Sequence, residues 1–245
     1  MPSKTSSSSR AGGRVLAFDI GGSHLKAAIV DRAGKLLSAR QRIPTPPNCT
    51  PTKLLHGMQA LTGQLGPYDK IAIAFPGYVR DGVVRTAPNL GTKSWAKYPL
   101  ASAVEKLFGK PTRLLNDADV QGLAVITGRG LELVCTLGTG FGTAWFRDGE
   151  LMPHMEFAHI MLHGHKDIDA FIGDKVRRKI GNKKWNKRIQ KIIANLEMVM
   201  NYDHLYLGGG NAERVTFALP DNVSVVANEA GLEGGAFVWF PRKPK

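Results

Sequence analysis

Two carboxylates, each set where an apolar run gives way to a turn, are the residues best placed to do chemistry. The stretch "LAFDIGGSHLKAAIV" (16–30) passes from an apolar run into Asp19, Gly21, Gly22 and Ser23, then back into an apolar run. Glycines lack Cβ atoms, so successive N–H groups can turn onto one anion and form a phosphate nest. A carboxylate beside a phosphate is repulsive unless a cation lies between them, so Asp19 points to Mg²⁺. Lys26 has two readings, a charge that neutralises a phosphate oxygen or a solvated surface lysine. The second carboxylate is Asp117 in "LLNDAD" (114–119), at the end of an apolar run where a side chain projects into a cleft. Placed there, it can take the proton from a hydroxyl attacking phosphorus, a role worth roughly 10²–10⁴ in rate. An Asn-Asp pair alone is more often a turn or a helix cap, and it is the neighbouring glycine turns that favour the chemical role.

Two more glycine turns close apolar runs, Gly138-Thr139-Gly140 and Gly208-Gly209-Gly210. None of the three is a P-loop, and "GTGFG" is not the dinucleotide fingerprint, because a second strand follows it where a helix would open. "FDIGGSHLKAAIVDRAGKL" (18–36) can be laid on "CTLGTGFGTAWFRDGEL" (135–151), with Gly21 answering Gly138 and Gly34 answering Gly149. Such self-similarity predicts a duplicated two-lobe architecture, against the plainer reading of two similar hairpins. Strand-like runs at 70–75 and 112–115, and a short strand in "HLYLGGGN" (204–211) that stops in its triple-glycine turn, alternate with helical spacing at 51–65 and 100–109, which makes the class α/β. The expected division is a disordered tail over 1–13, an α/β lobe over 14–115 and a second over 116–245, with a cleft between the lobes. The Gly-rich last helix is expected to pack closely, back on the first lobe.

The chain has 245 residues, 43% hydrophobic and 22% charged, as in a soluble globular protein. No apolar run is long enough to cross a bilayer, and the basic, Ser/Gly-rich start lacks the apolar core of a signal peptide. Cys49 and Cys135 form neither a disulfide framework nor a metal pair. A cytoplasmic location and no membrane partner are expected. The formal net charge of +13 fits either an anionic partner or a simply basic surface. Residues 175–191 hold nine Lys or Arg and no acid. Trp185, Ile189, Ile192, Ile193 and Leu196 recur at helical spacing, and Lys184, Lys187, Arg188 and Lys191 form a stripe on another side. Solvated helix faces normally mix both signs, so a bound polyanion accounts better for this stripe. Nucleic acid is not expected, because the stretch lacks interleaved aromatics apart from Trp185.

In combination these residues resemble the ROK (repressor, open reading frame, kinase) sugar kinases of the actin/hexokinase superfamily, and within them the polyphosphate glucokinases. The resemblance runs from about residue 15 to 240 and rests on "DIGGSHLK", "TPPNCTP", "AFPGYVRDGVVRTAPNL", "KSW", "TLGTGFG", "LYLGGGN" and "NEAGLEGGA". It implies a glucokinase that moves a phosphoryl group from polyphosphate or ATP to the 6-hydroxyl of glucose, with Mg²⁺, as a homodimer. It assigns Asp117 as general base, and Asn89, Asn116, Glu156 and His159 as sugar ligands. Asp169 is a further candidate. The phosphate and nucleotide loops would be Gly21, Gly22, Ser23, Gly138, Thr139, Gly140, Gly209 and Gly210, with Asp19 and Lys26 beside them. "EFAH" has Ala158 where the family usually has glycine. The family's run of three cysteines is missing, so no zinc is expected, and His154, His159, His163 and His165 are not read as a metal set. On this reading the stripe would carry a long polyphosphate chain. The alternatives are an ATP-dependent kinase of another hexose and a sugar-sensing, non-catalytic ROK protein. The latter needs a DNA-binding helix-turn-helix, which the first thirteen residues cannot supply.

Overall fold

The computed structural model describes residues 13–91, 93–161, 166–226 and 230–242. The expected tail, apart from Gly13, lies outside these residues, as do His163, His165, Asn228 and Glu229.

The chain opens with β1 (Val15–Ile20), β2 (His24–Val30), β3 (Gln41–Pro44), α1 (Pro51–Thr62) and β4 (Lys70–Phe75). A small hairpin, β5 (Val79–Arg80) and β6 (Val83–Val84), precedes α2 (Leu100–Phe108) and β7 (Thr112–Asn116). The sheet order is β3-β2-β1-β4-β7, with β1 to β3 antiparallel and β4 and β7 parallel to β1. Then α3 (Asp117–Val125) leads to β8 (Leu131–Leu137), β9 (Phe141–Arg147) and β10 (Glu150–Leu151). Three helices follow, α4 (Ile168–Ile172), α5 (Asp174–Ile180) and α6 (Asn182–Met200). The chain ends with β11 (His204–Gly208), β12 (Val223–Val225) and α7 (Ala230–Phe237). The second sheet, β10-β9-β8-β11-β12, repeats the first in order and in strand direction. The duplication expected from the two glycine hairpins is therefore the architecture. The helices foreseen at 51–65 and 100–109 stop at Thr62 and Phe108.

Side chains alternate across each sheet, and along the central strands β1, β4 and β8 both faces are buried, whereas the edge strand β3 is partly exposed. Leu16, Phe18 and Ile20 of β1 pack with Leu54, Met58 and Leu61 of α1 on one face. Val15 and Ala17 face the other way, into a layer built from α3, α7 and both sheets. On the far side Leu133, Cys135 and Leu137 of β8 meet Trp185, Ile189 and Ile193 of α6. The result is five layers, with helices outside and between two sheets. In the middle layer α7 comes so close to α3 that a Cβ on Gly234 would collide with the Val120 carbonyl oxygen. On its other side a Cβ on Gly235 would press on Ala17 of β1, so the helix needs glycine towards both of its neighbours. It also packs on β1, β2 and β4 of the first sheet.

Candidate active site

Strands β1, β4, β7, β8 and β11 all run their carboxyl ends towards one cleft of about 1130 Å³ between the two sheets. Ligands of open α/β sheets bind outside such strand ends. After β1 come Gly21, Gly22 and Ser23, after β8 come Gly138, Thr139 and Gly140, and after β11 come Gly209 and Gly210, all lining the cleft. Gly209 has a φ of +83°, and a Cβ there would lie 2.6 Å from the Leu137 carbonyl oxygen, so the turn requires glycine. Asp19 and Lys26 also line the cleft, as do Asn89, Asn116, Asp117, Glu156, His159 and Asp169.

Asp19 lies on the face of β1 that looks between the sheets, near its carboxyl end. Its Oδ2 is 2.8 Å from Lys26 Nζ, a pair set directly by the β1–β2 register, which places these two residues opposite each other. Lys26 thus faces Asp19 across the hairpin while lining the cleft beside the first glycine turn. Among the described residues no group of three or more His, Cys, Asp or Glu side chains could hold a metal ion.

Asp117 is the first residue of α3. Asn116 caps that helix, with Oδ1 accepting from the Ala118 N–H at 2.8 Å, while its Nδ2 donates to the Gly77 carbonyl at 3.1 Å. The Asn116 amide thus ties the turn after β4 to the start of α3. Burial and then the negative charge of Asp19 raise the Asp117 pKa to about 7, with smaller pushes from Asp119 and Glu156, against the hydrogen bond from Ala118. A carboxylate titrating near neutrality in a cleft is matched to general-base work.

Next to Asp117 lies a set of charges that sequence reading did not assemble. His154 Nδ1 is 3.1 Å from Asp119 Oδ1, and its Nε2 is 3.3 Å from Glu156 Oε1 but off a good hydrogen-bonding line. Burial disfavours the charged imidazole, but hydrogen bonding and charge from Asp119 and Glu156 outweigh it and raise its pKa to about 10. The same contact from His154 holds Glu156 below its ordinary value. His159 is more exposed, with Nδ1 3.5 Å from Asp167 Oδ2.

On the side of the second sheet, Asp169 Oδ1 accepts the Phe141 N–H at 2.6 Å and so pins the second glycine loop. Arg177, Arg178 and Arg214 also line the cleft. Arg177 and Arg178 both pair with Asp174, at 2.8 and 2.7 Å. Burial works against ionising Asp174, but hydrogen bonds from Arg177, Asn211 and Arg178 together hold its pKa below the usual range. The stripe residues Lys184, Lys187, Arg188 and Lys191 are not among the described residues that line the cleft. The three lysines are exposed on α6, while Arg188 donates to the Phe171 carbonyl at 2.7 Å and stacks over that ring.

The model of the ROK family matches residues 15–175. A polyphosphate glucokinase of Mycobacterium tuberculosis (strain CDC 1551 / Oshkosh) is 32% identical over 236 residues, covering 89% of this chain and 88% of the relative. The crystal structure of an inorganic polyphosphate/ATP-glucomannokinase from Arthrobacter sp. strain KM aligns with a TM-score of 0.83 at 30% identity, over 93% of this chain and 98% of that one. A ROK family glucokinase from Streptomyces griseus, solved with glucose and AMPPNP, shares the fold with a TM-score of 0.74 at 21% identity, over 92% and 99% of the two chains. With the doubled sheets and the cleft between them, these likenesses make the chain a member of the ROK family, with the two-lobed actin/hexokinase-like fold.

Proposed function

We propose that the protein is a phosphotransferase that moves the terminal phosphoryl group of inorganic polyphosphate or ATP to the 6-hydroxyl of glucose. The observation that carries this reading is Asp117, a carboxylate raised to about 7 at the strand ends where the glycine turns of both sheets meet. The named activities of the relatives, polyphosphate glucokinase and polyphosphate/ATP-glucomannokinase, support it.

In this reading Asn89, Glu156 and His159 orient the sugar with donors and acceptors matched to hydroxyls, and Asn116 fixes the turn that carries Asp117. Asp117 takes the hydroxyl proton as the new O–P bond forms, and the departing phosphate keeps the electron pair of the bond that breaks. Backbone N–H groups of the turns at 21–23, 138–140 and 209–210 cradle the donor phosphates. The Asp19 carboxylate fits Mg²⁺, which typically takes one or two protein carboxylates and completes its shell with phosphate oxygens and water. When bound, the ion would neutralise charge on the phosphoryl oxygens. Lys26 keeps Asp19 in place and adds a positive charge beside the first turn.

The exposed Lys184, Lys187 and Lys191 are left as a path for the distal part of a long polyphosphate, outside the cleft. The cleft arginines Arg178 and Arg214 are placed for the phosphates nearest the reaction. A cytoplasmic homodimer without a nucleic-acid partner completes the proposal, and no helix of the described residues is long and apolar enough to cross a membrane. The test is a coupled hexose 6-phosphate assay that compares polyphosphate with ATP and glucose with mannose. Glucose 6-phosphate formation with polyphosphate is the expected result. No turnover with either donor would overturn the proposal.

A further inference from the structure

One imidazole joins three separate parts of the fold behind the sugar side of the cleft. His154 follows β10 and has only 8% of its side chain exposed, and Asp119, 3.1 Å from its Nδ1, has 4%. Asp119 belongs to α3, two residues beyond Asp117. Glu156, 3.3 Å from Nε2, comes from the segment after β10 and has 34% of its side chain exposed. Tyr78, from the turn after β4, stacks on the ring with centroids 5.8 Å apart and planes 15° from parallel. Tyr78 and Glu156 both line the cleft. The charges beyond this group are His159 and Asp169 towards Glu156, and Asp117 and Asp19 towards α3.

A neutral imidazole has one N–H and one lone pair, so between two carboxylates it would turn a lone pair on one of them. Only the imidazolium presents a donor to each side. Without it, Asp119 would be a buried acid with its partner gone, and Glu156 would lose the contact that sets its direction.

We propose that His154 is a positioning residue: as a standing imidazolium bridging Asp119 to Glu156 and seated on Tyr78, it aims the Glu156 carboxylate at the hexose and ties the sugar site to the helix that carries the base. This rests on the phosphotransferase reading above. Glu156 Oε1 faces Nε2 at 3.3 Å as an ion pair rather than a well-aligned hydrogen bond, and with 34% of its side chain exposed Glu156 still offers its carboxylate to a ligand. The charge matters because a neutral amide of similar reach, although its NH2 carries two N–H donors, brings no positive charge to offset the two carboxylates.

The test compares His154→Gln, Asp119→Asn and the double variant with the wild type. His154→Gln keeps a polar side chain and removes the charge, so the hexose KM should rise about tenfold or more, as expected when Glu156 loses its aim and with it a charged hydrogen bond to the hexose. The donor KM should stay within about twofold, because the glycine turns are untouched. Asp119→Asn should shift the same parameter, and the double variant should be no worse than His154→Gln, since both act through one contact. Histidine ¹⁵N spectra should show both His154 ring nitrogens protonated at pH 8.5, and Asp119→Asn should bring that ring closer to neutral titration. If His154→Gln does not fold, Asp119→Asn judged by the same KM split carries the test. An active wild type whose hexose KM is unmoved in these variants overturns the role of His154 alone, as does a neutral His154 at pH 8.5. An inactive wild type overturns the phosphotransferase reading and this inference with it.

Discussion

Replacing Asp117 with Asn keeps the size of the side chain and an oxygen to accept the Ala118 N–H, which the carboxylate now accepts at 2.9 Å. Only the charge is lost. That charge is costly, because burial and the nearby Asp19 carboxylate move the pKa from 3.8 to about 7. A folded-state pKa above the unfolded value means that folding favours the protonated form. The stabilising effect of that proton is complete below the unfolded value of 3.8 and is lost as pH rises through about 7. A rise of about three units at ~1.4 kcal/mol each makes the ionised carboxylate a burden of about 4 kcal/mol on the folded state above neutrality. Asp117→Asn should therefore be the more stable protein at pH 8, by about 2–4 kcal/mol, with the advantage shrinking towards pH 4. Urea unfolding of both proteins across that range gives the difference directly. The same variant should lose at least about 10²-fold in turnover while hexose binding persists. A variant no more stable than wild type at pH 8 would refute the electrostatic account of this residue.

Asp19→Asn should raise the Mg²⁺ concentration for half-maximal rate by about tenfold, measured by titrating the ion at fixed donor, and an unchanged requirement would remove Asp19 as the ion's carboxylate. Reversing Lys184, Lys187 and Lys191 to Glu should raise the KM for long polyphosphate and steepen no dependence on ATP, whereas Arg178→Gln should raise the KM of both donors; equal effects of the lysine reversals on both donors would refute the path along α6. Gly209→Ala should cost about 1–3 kcal/mol in unfolding free energy, through its positive φ and the Leu137 carbonyl, and a neutral substitution would mean the turn can relax. Glucose should draw the lobes together, so small-angle scattering should show a smaller radius of gyration once calorimetry has established binding; an unchanged radius would argue against closure.

The doubled topology was legible because Gly21 and Gly138 end equivalent hairpins, and hydrophobic runs on either side mark strands buried on both faces. The cleft residues Asp19, Asn89, Asp117, Glu156 and His159 are named by motifs, and the fold brings all five to one place. The pairing of Lys26 with Asp19 was within reach of the sequence, since a seven-residue offset around a tight glycine turn sets them opposite each other on adjacent strands. The break between α5 and α6 also had a signal. Gly181, with a φ of +80°, ends one helix and starts the next, so Arg177 and Arg178 line the cleft while the lysines further on do not. The bridge of Asp119, His154 and Glu156 had none. Asp119 and His154 are 35 residues apart, and nothing local in either segment indicates that α3 and the stretch after β10 will meet. Contacts of that kind are created by the packing of the second sheet on the central helices.

The most direct test of the central claim, that Asp117 is the base of a phosphoryl transfer to a hexose hydroxyl, is the pH dependence of turnover with glucose under saturating donor. Turnover should climb through an apparent pKa near 7, so that one unit below it the rate is about a tenth of the plateau, and this acid limb should vanish along with most of the activity in Asp117→Asn. A wild-type rate flat from about pH 5.5 to 8.5, or an Asn variant that keeps more than about a tenth of wild-type turnover, would contradict it.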